Sequence, residues 1–167
     1  MNVNGLRLQQ AIRAQTERRK LVEARFAGSL KKFPDEKKPS PIALMEELED
    51  AERRIALLQV AQARYNLTVE VEVQGKRVTL QEAVKLLGGS SRIERKWADA
   101  AAEEVDRYGS TVRDKDSIVC QRQVEPEKCT ELARVAGKRV RSLRYAIAKG
   151  NATELDISGL DGLELDD

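Results

Sequence analysis

The sequence predicts a mainly α protein: an antiparallel helical hairpin of coiled-coil type, joined to a helical bundle that carries a small β-hairpin. Three observations predict it. Leu44, Leu48, Ala51, Ile55, Leu58, Gln62 and Tyr65 alternate steps of four and three, the spacing of a coiled-coil seam. Of the 167 residues, 35% are charged and only 4% aromatic, which suits solvated helix faces better than a thick globular core. The apolar period then changes abruptly to two after Asn66, which marks a strand pair between helical stretches.

The first helix is expected from Leu6 to about Phe33. Leu8, Ile12, Val22, Phe26 and Phe33 form its stripe, and Gln15, Arg19 and Ser29 interrupt it. Asn4 can cap its start and Pro34 ends it. The segment PDEKKPSP, with three prolines in eight residues, reads as a stiff connector that reverses the chain. Pro41 after Ser40 suits the first position of a second helix, whose early turns are acidic (Glu46, Glu47, Glu49, Asp50) and later ones basic (Arg53, Arg54, Arg64), as the helix dipole prefers. Two helices joined in this way read as an antiparallel hairpin. Gln15 and Arg19 then either restrict its register or sit at the seam edge with their heads in water.

In NLTVEVEVQGKRVTL, Val69, Val71 and Val73 alternate with Glu70, Glu72 and Gln74, and Gln74-Gly75 makes the reversal. Thr79 and Glu82 form a capping box for a short helix ended by Gly88-Gly89. Ser91 and Glu94 cap the next, with Ile93, Trp97, Ala101, Val105 and Tyr108 on one face; the alternative is one longer helix kinked at the glycines. Arg92, Arg95 and Lys96 near its start and Glu103, Glu104 and Asp106 near its end oppose the dipole, which calls for a charge-complementary neighbour. Ser117–Cys120 reads as a brief strand. Pro126 opens the last helix, apolar along Cys129, Leu132, Ala136, Val140, Leu143 and Ile147, basic elsewhere, and stopped at Gly150. The boundaries expected are 1–66 for the hairpin, 67–150 for the β-hairpin and packed helices, and 151–167 for an acidic tail.

The formal charge of +2 gives no global field for nucleic acid or anionic membrane. There is no histidine, which removes a histidine base, the Ser-His-Asp and Cys-His triads and the commonest metal ligand. Cys120 and Cys129 are too far apart for a CxxC site and are expected as reduced thiols. Gly88-Gly89-Ser90-Ser91 lacks the lysine and spacing of a phosphate loop, so helix capping explains it better than an anion site. Adjacent acids such as Glu46-Glu47 point apart on a helix and make no acid-base pair. No enzyme and no cofactor are therefore expected. The start MNVNGLRLQQAIRAQ is polar, without a signal-peptide core, and no window approaches the ~20 apolar residues of a membrane span. The expected location is cytoplasmic, or the virion if the chain is phage-encoded, without a membrane partner.

Three surfaces are candidates. Leu44, Leu48, Ile55, Leu58 and Tyr65 form a seam that pairs with the upstream helix, a second copy or another protein. Arg134, Lys138, Arg141 and Arg144 on the last helix could follow a nucleic-acid backbone. Leu155, Ile157, Leu160 and Leu163 among acids read as a docking tail that competes for that basic face or meets another protein. The leading expectation is a structural, scaffolding or adaptor protein acting as a homo-oligomer or with a protein partner; the alternative is a nucleic-acid-associated protein.

The order of parts, with the segment GKRVTLQEAVKLL (Gly75–Leu87) and a further helix near Arg92, resembles a family of small uncharacterised bacterial and phage-associated helical proteins, some of which carry the name septicolysin. The resemblance implies a helical architecture and little about activity. The pore-forming toxin that the name suggests has no support in the residues, which hold no amphipathic hairpin long enough for a membrane barrel.

Overall fold

A computed structural model describes residues 2–102 and 123–157. It is mainly α, with four helices packed as two hairpin pairs and two small antiparallel sheets. The elements run β1 (Asn2–Val3), α1 (Gly5–Ser29), α2 (Pro41–Thr68), β2 (Glu70–Val73), β3 (Lys76–Thr79), α3 (Leu80–Ala102), α4 (Pro126–Asn151) and β4 (Leu155–Asp156). Helix α1 packs on α2 and α3 on α4, and the two pairs meet at one end.

Local chemistry sets most of the boundaries. The Arg7 N–H donates to Asn4 Oδ1 at 3.0 Å and starts α1. Helices α2 and α4 begin at Pro41 and Pro126, where a missing N–H costs nothing. The Glu82 N–H donates to Thr79 Oγ1 at 3.1 Å, one half of the expected capping box. In the β2–β3 hairpin Glu70 pairs with Thr79 and Val73 with Lys76. Gln74 and Gly75 both take positive φ, 53° and 77°, as a two-residue turn matched to strand twist requires.

Helix α1 ends at Ser29, four residues before the expected Phe33. The Ser29 hydroxyl turns back to donate to the Phe26 carbonyl at 2.8 Å, and Phe33 joins Glu36 in a local turn. Phe33 thereby leaves the seam and stands 78% exposed. The expectation of two helices around Gly88-Gly89 is also corrected, because α3 continues through both glycines from Leu80 to Ala102. Two glycines weaken a helix by about 1 kcal/mol each, but packing of α3 along α4, with Ser90 buried, offsets that cost. Arg92, Arg95 and Lys96 consequently sit mid-helix, away from the dipole's positive end, and no helix start exists at Ser91 for an anion. Glu103, Glu104, Val105, Asp106 and Tyr108, and the strand expected at Ser117–Cys120, lie outside the described residues.

The core gathers where the pairs meet. Leu8, Leu58, Ala61 and Tyr65 of the first hairpin join Val69, Val71 and Val73 of the ribbon, Leu80 and Ala83 of α3, and Leu143 and Ala146 of α4. Val3 and Ile157 close it from the chain's two end segments, where Asn2 pairs with Asp156 and Val3 with Leu155.

Tyr65 ties these parts together. Its ring is fully buried, and its hydroxyl lies 2.6 Å from the carbonyl oxygens of both Gly150 and Thr153, donating to one at a time. The Gly5 N–H donates to the same oxygen. Close approach is needed here: a Cβ on Gly150 would stand 2.6 Å from Val71 Cγ1 and 3.0 Å from Leu80 Cδ1. Gly150 accordingly lies inside the last turn of α4, which stops one residue later at Asn151.

Replacing Tyr65 with Phe removes the hydroxyl's hydrogen bonds at the shared end and should lower unfolding free energy by about 1 kcal/mol in urea titrations. Gly150→Ala should cost ~1–3 kcal/mol through overpacking. Burial raises the Tyr65 pKa, so the unfolded chain ionises this phenol first. Its contribution is complete below about pH 10, the ordinary tyrosine value, and is lost as pH rises through the higher folded value. Stability measured across the alkaline limb should fall with pH, and Tyr65→Phe should flatten that fall.

Candidate functional site

The inner seam of α2 is consumed within the chain. Leu44, Ile55, Leu58 and Tyr65 are buried, Leu48 is half-buried, and their partner is α1. Ion pairs from Arg19 to Glu52 (3.2 Å) and Arg25 to Glu47 (3.9 Å) hold the antiparallel register. In that register Gln15 stands level with Ala56, whereas Gln62 faces the first turns of α1, so Gln15, Arg19 and Gln62 do not form one polar layer. Gln15 Oε1 and Arg19 Nε are buried without a hydrogen-bond partner among the described residues.

Helix α2 carries a second apolar stripe. Ala56, Val60, Ala63 and Leu67 fall on the face opposite Leu58, Ala61 and Tyr65, with Leu57 and Arg64 at its edge. Leu57, Val60 and Leu67 are 45%, 50% and 62% exposed. Further along, the same face carries Met45 and Glu49. Asp50, at its flank, accepts from Arg53 and Arg54 at 2.8 Å, and the Arg53 bond chiefly holds its carboxyl below the usual range. The spacing of 56, 60, 63 and 67 is visible in the sequence, but the stronger seam beside it masks the signal.

On α4 the four predicted cations are all exposed, and none forms an ion pair among the described residues. Helical periodicity aligns Arg134, Lys138 and Arg141 with Lys149 and with Tyr145, an exposed ring that no sequence signal singles out; Arg144 flanks them. Tyr145 and Lys149 border a groove of about 330 Å³ that Glu70, Glu72 and Gln74 line from the ribbon. Those carboxylates place opposite charge beside the basic stripe. A second groove of about 320 Å³ lies beside Ile93 and Val135. Ile93, expected on the packed face of its helix, is 54% exposed.

Of the docking-tail residues, Leu155 belongs to β4 and Ile157 is buried in the core; Leu160 and Leu163 lie outside the described residues. Cys129 is buried, its sulfur 4.0 Å from the Val124 carbonyl oxygen, and Cys120 lies outside the described residues. Among the described residues no group of acids and thiols could hold a metal ion, and no helix is long and apolar enough to cross a membrane.

The fold is similar to that of a functionally unknown conserved protein from Corynebacterium diphtheriae, known from a crystal structure, with a TM-score of 0.70 at 19% identity over 93% of this chain and 100% of that one. At that identity the match concerns the fold alone. No family model and no curated protein matches the chain.

The polar interruption of the seam makes a measurable expectation. Gln15→Leu removes a buried acceptor without a partner and should raise stability by about 1 kcal/mol, seen as a higher thermal midpoint. By contrast, glutamine at Arg134, Lys138, Arg141 and Arg144 together should leave the midpoint almost unchanged, since exposed cations outside ion pairs contribute within ~0.5 kcal/mol each.

Proposed function

We propose that this chain is a structural or adaptor protein that self-associates through the outer face of α2. The observation that carries the reading is the stripe Ala56, Val60, Ala63 and Leu67, left uncovered on a helix whose other face is fully used. Scattered exposed leucines are ordinary, but an aligned stripe on a long helix has the form of a second packing seam. Charge supports a second copy as the occupant. An antiparallel pairing centred near Ala56 sets Met45 against Leu67 and Glu49 beside Arg64 of the other copy, and the two-fold repeats both matches. The proposal assigns no reaction and no cofactor. The resemblance of Gly75–Leu87 to the helical family that includes septicolysins fits it as layout, since that segment is the turn, strand and helix start beside the core.

Light scattering and sedimentation over a wide concentration range test the proposal. A dimer or larger species is expected, and Val60→Glu with Leu67→Glu should weaken association by about thirtyfold or more, the scale of a central interface residue. A wild-type chain that stays monomeric at high concentration and at every salt concentration overturns it.

The α4 stripe favours a second reading, association with single-stranded nucleic acid. Aligned cations neutralise phosphates, and an exposed Tyr145 offers a stacking face. At low salt the chain should bind an oligonucleotide, and glutamine at Arg134, Lys138, Arg141 and Arg144 should abolish binding and reduce its salt dependence. Absence of binding at low salt removes this reading.

A further inference from the structure

The end of the α1–α2 hairpin away from the shared core carries three exposed large apolar side chains. Leu30, Phe33 and Ile42 are 61%, 78% and 73% exposed, and they cluster where the two helices hand over to the connector. Helix α1 is 25 residues long, so this tip lies roughly 37 Å from Gly5.

The surrounding charge is sorted by position. Lys31, Lys32 and Lys37 are exposed at the tip and form no ion pair among the described residues. Lys38 is held inside the turn, donating to the Lys31 carbonyl at 2.9 Å and pairing with Glu36 at 3.2 Å. Glu36 is also turned inward, because its carboxylate accepts from the Phe33 N–H at 3.2 Å, and that bond holds its pKa low. Asp35 is the one carboxylate of the connector outside this arrangement. The next acids on α2 are Glu46, Glu47, Glu49 and Asp50, of which Glu47 pairs with Arg25 at 3.9 Å and the other three line one flank.

We propose that this tip docks end-on to the surface of an anionic lipid bilayer. Phe33, Leu30 and Ile42 enter the boundary between headgroups and acyl chains, and Lys31, Lys32 and Lys37 meet the acidic headgroups. An aromatic and aliphatic protrusion ringed by lysines suits a deformable, negatively charged surface, which needs no pre-shaped pocket. The carboxylates behind it bear on the orientation: laying the α2 flank down would bring Glu46, Glu49 and Asp50 against the same negative surface, which favours contact through the end. This departs from the expectation of no membrane partner, which rested on the lack of a spanning segment, and it is independent of self-association through α2.

Flotation of the full chain with vesicles tests it, comparing phosphatidylcholine alone with mixtures containing phosphatidylserine. Binding is expected only to the anionic vesicles and should weaken at high salt. Glutamine at Lys31, Lys32 and Lys37 should reduce the partition coefficient on the order of a hundredfold, at about fivefold per cation. Phe33→Ser should also weaken it, with the helical circular dichroism of both variants unchanged. Phe33→Trp in a Trp97→Phe chain should shift its emission to the blue on adding anionic vesicles. The proposal is overturned if the wild type fails to float at low salt, or if it floats and neither tip variant differs from it. A tryptophan at position 33 that binds without a blue shift also overturns it.

Discussion

The buried hydroxyl of Tyr65 is the point on which the arrangement of the helices depends. Hairpins of two helices have no intrinsic reason to share an end, since each pair already covers its own seam. Here the Tyr65 oxygen accepts a hydrogen bond from the Gly5 N–H and donates one to the Gly150 or Thr153 carbonyl, so the start of α1, the end of α2 and the end of α4 meet at one atom. A phenylalanine would fill the same space but would leave the Thr153 carbonyl without its Tyr65 donor, while the Gly150 carbonyl keeps the Thr153 N–H at 3.1 Å. Because a buried polar group without a partner is costly, the tie is directional where the surrounding valines and leucines are not. The sheet between Asn2–Val3 and Leu155–Asp156 follows from it, because both segments leave helices whose ends the tyrosine has placed together.

That division of labour explains which parts of the fold were legible in advance. The α2 seam, the alternating valines of β2 and the caps at Asn4, Thr79, Pro41 and Pro126 each express a local rule, and the structure places each as expected. The failures occur where a tertiary contact outweighs a local signal. Gly88-Gly89 is a helix stop by propensity, yet α4 lies along the segment and keeps it helical. Phe33 matches the stripe of α1 by spacing, yet its turn with Glu36 removes it. No periodicity reveals the Tyr65 tie, since its partners lie 85 and 88 residues away.

For the candidate site the limit is of another kind. The exposed cations of α4 could be named from their types alone, but their alignment with Tyr145, and the carboxylates of Glu70 and Glu72 beside them, need the ribbon's placement. The seam residues and the proline turn, by contrast, pointed to the upstream helix as the partner, and α1 takes that place. Covering Leu44, Ile55 and Leu58 by α1 removes the inner face of α2 from intermolecular use and shifts that question to the outer face.

The interruptions at Gln15 and Arg19 then acquire a physical meaning. An apolar stripe along all of α1 would let it slide by whole turns against α2 with little change in burial. A buried amide oxygen without a partner and an arginine reaching Glu52 cost stability in the observed register, but they make other registers worse by separating the Arg19–Glu52 and Arg25–Glu47 pairs together. A hairpin whose inner seam is specific to its own partner can expose a second, less exacting stripe on its back without the two exchanging roles, and α2 is built in that way.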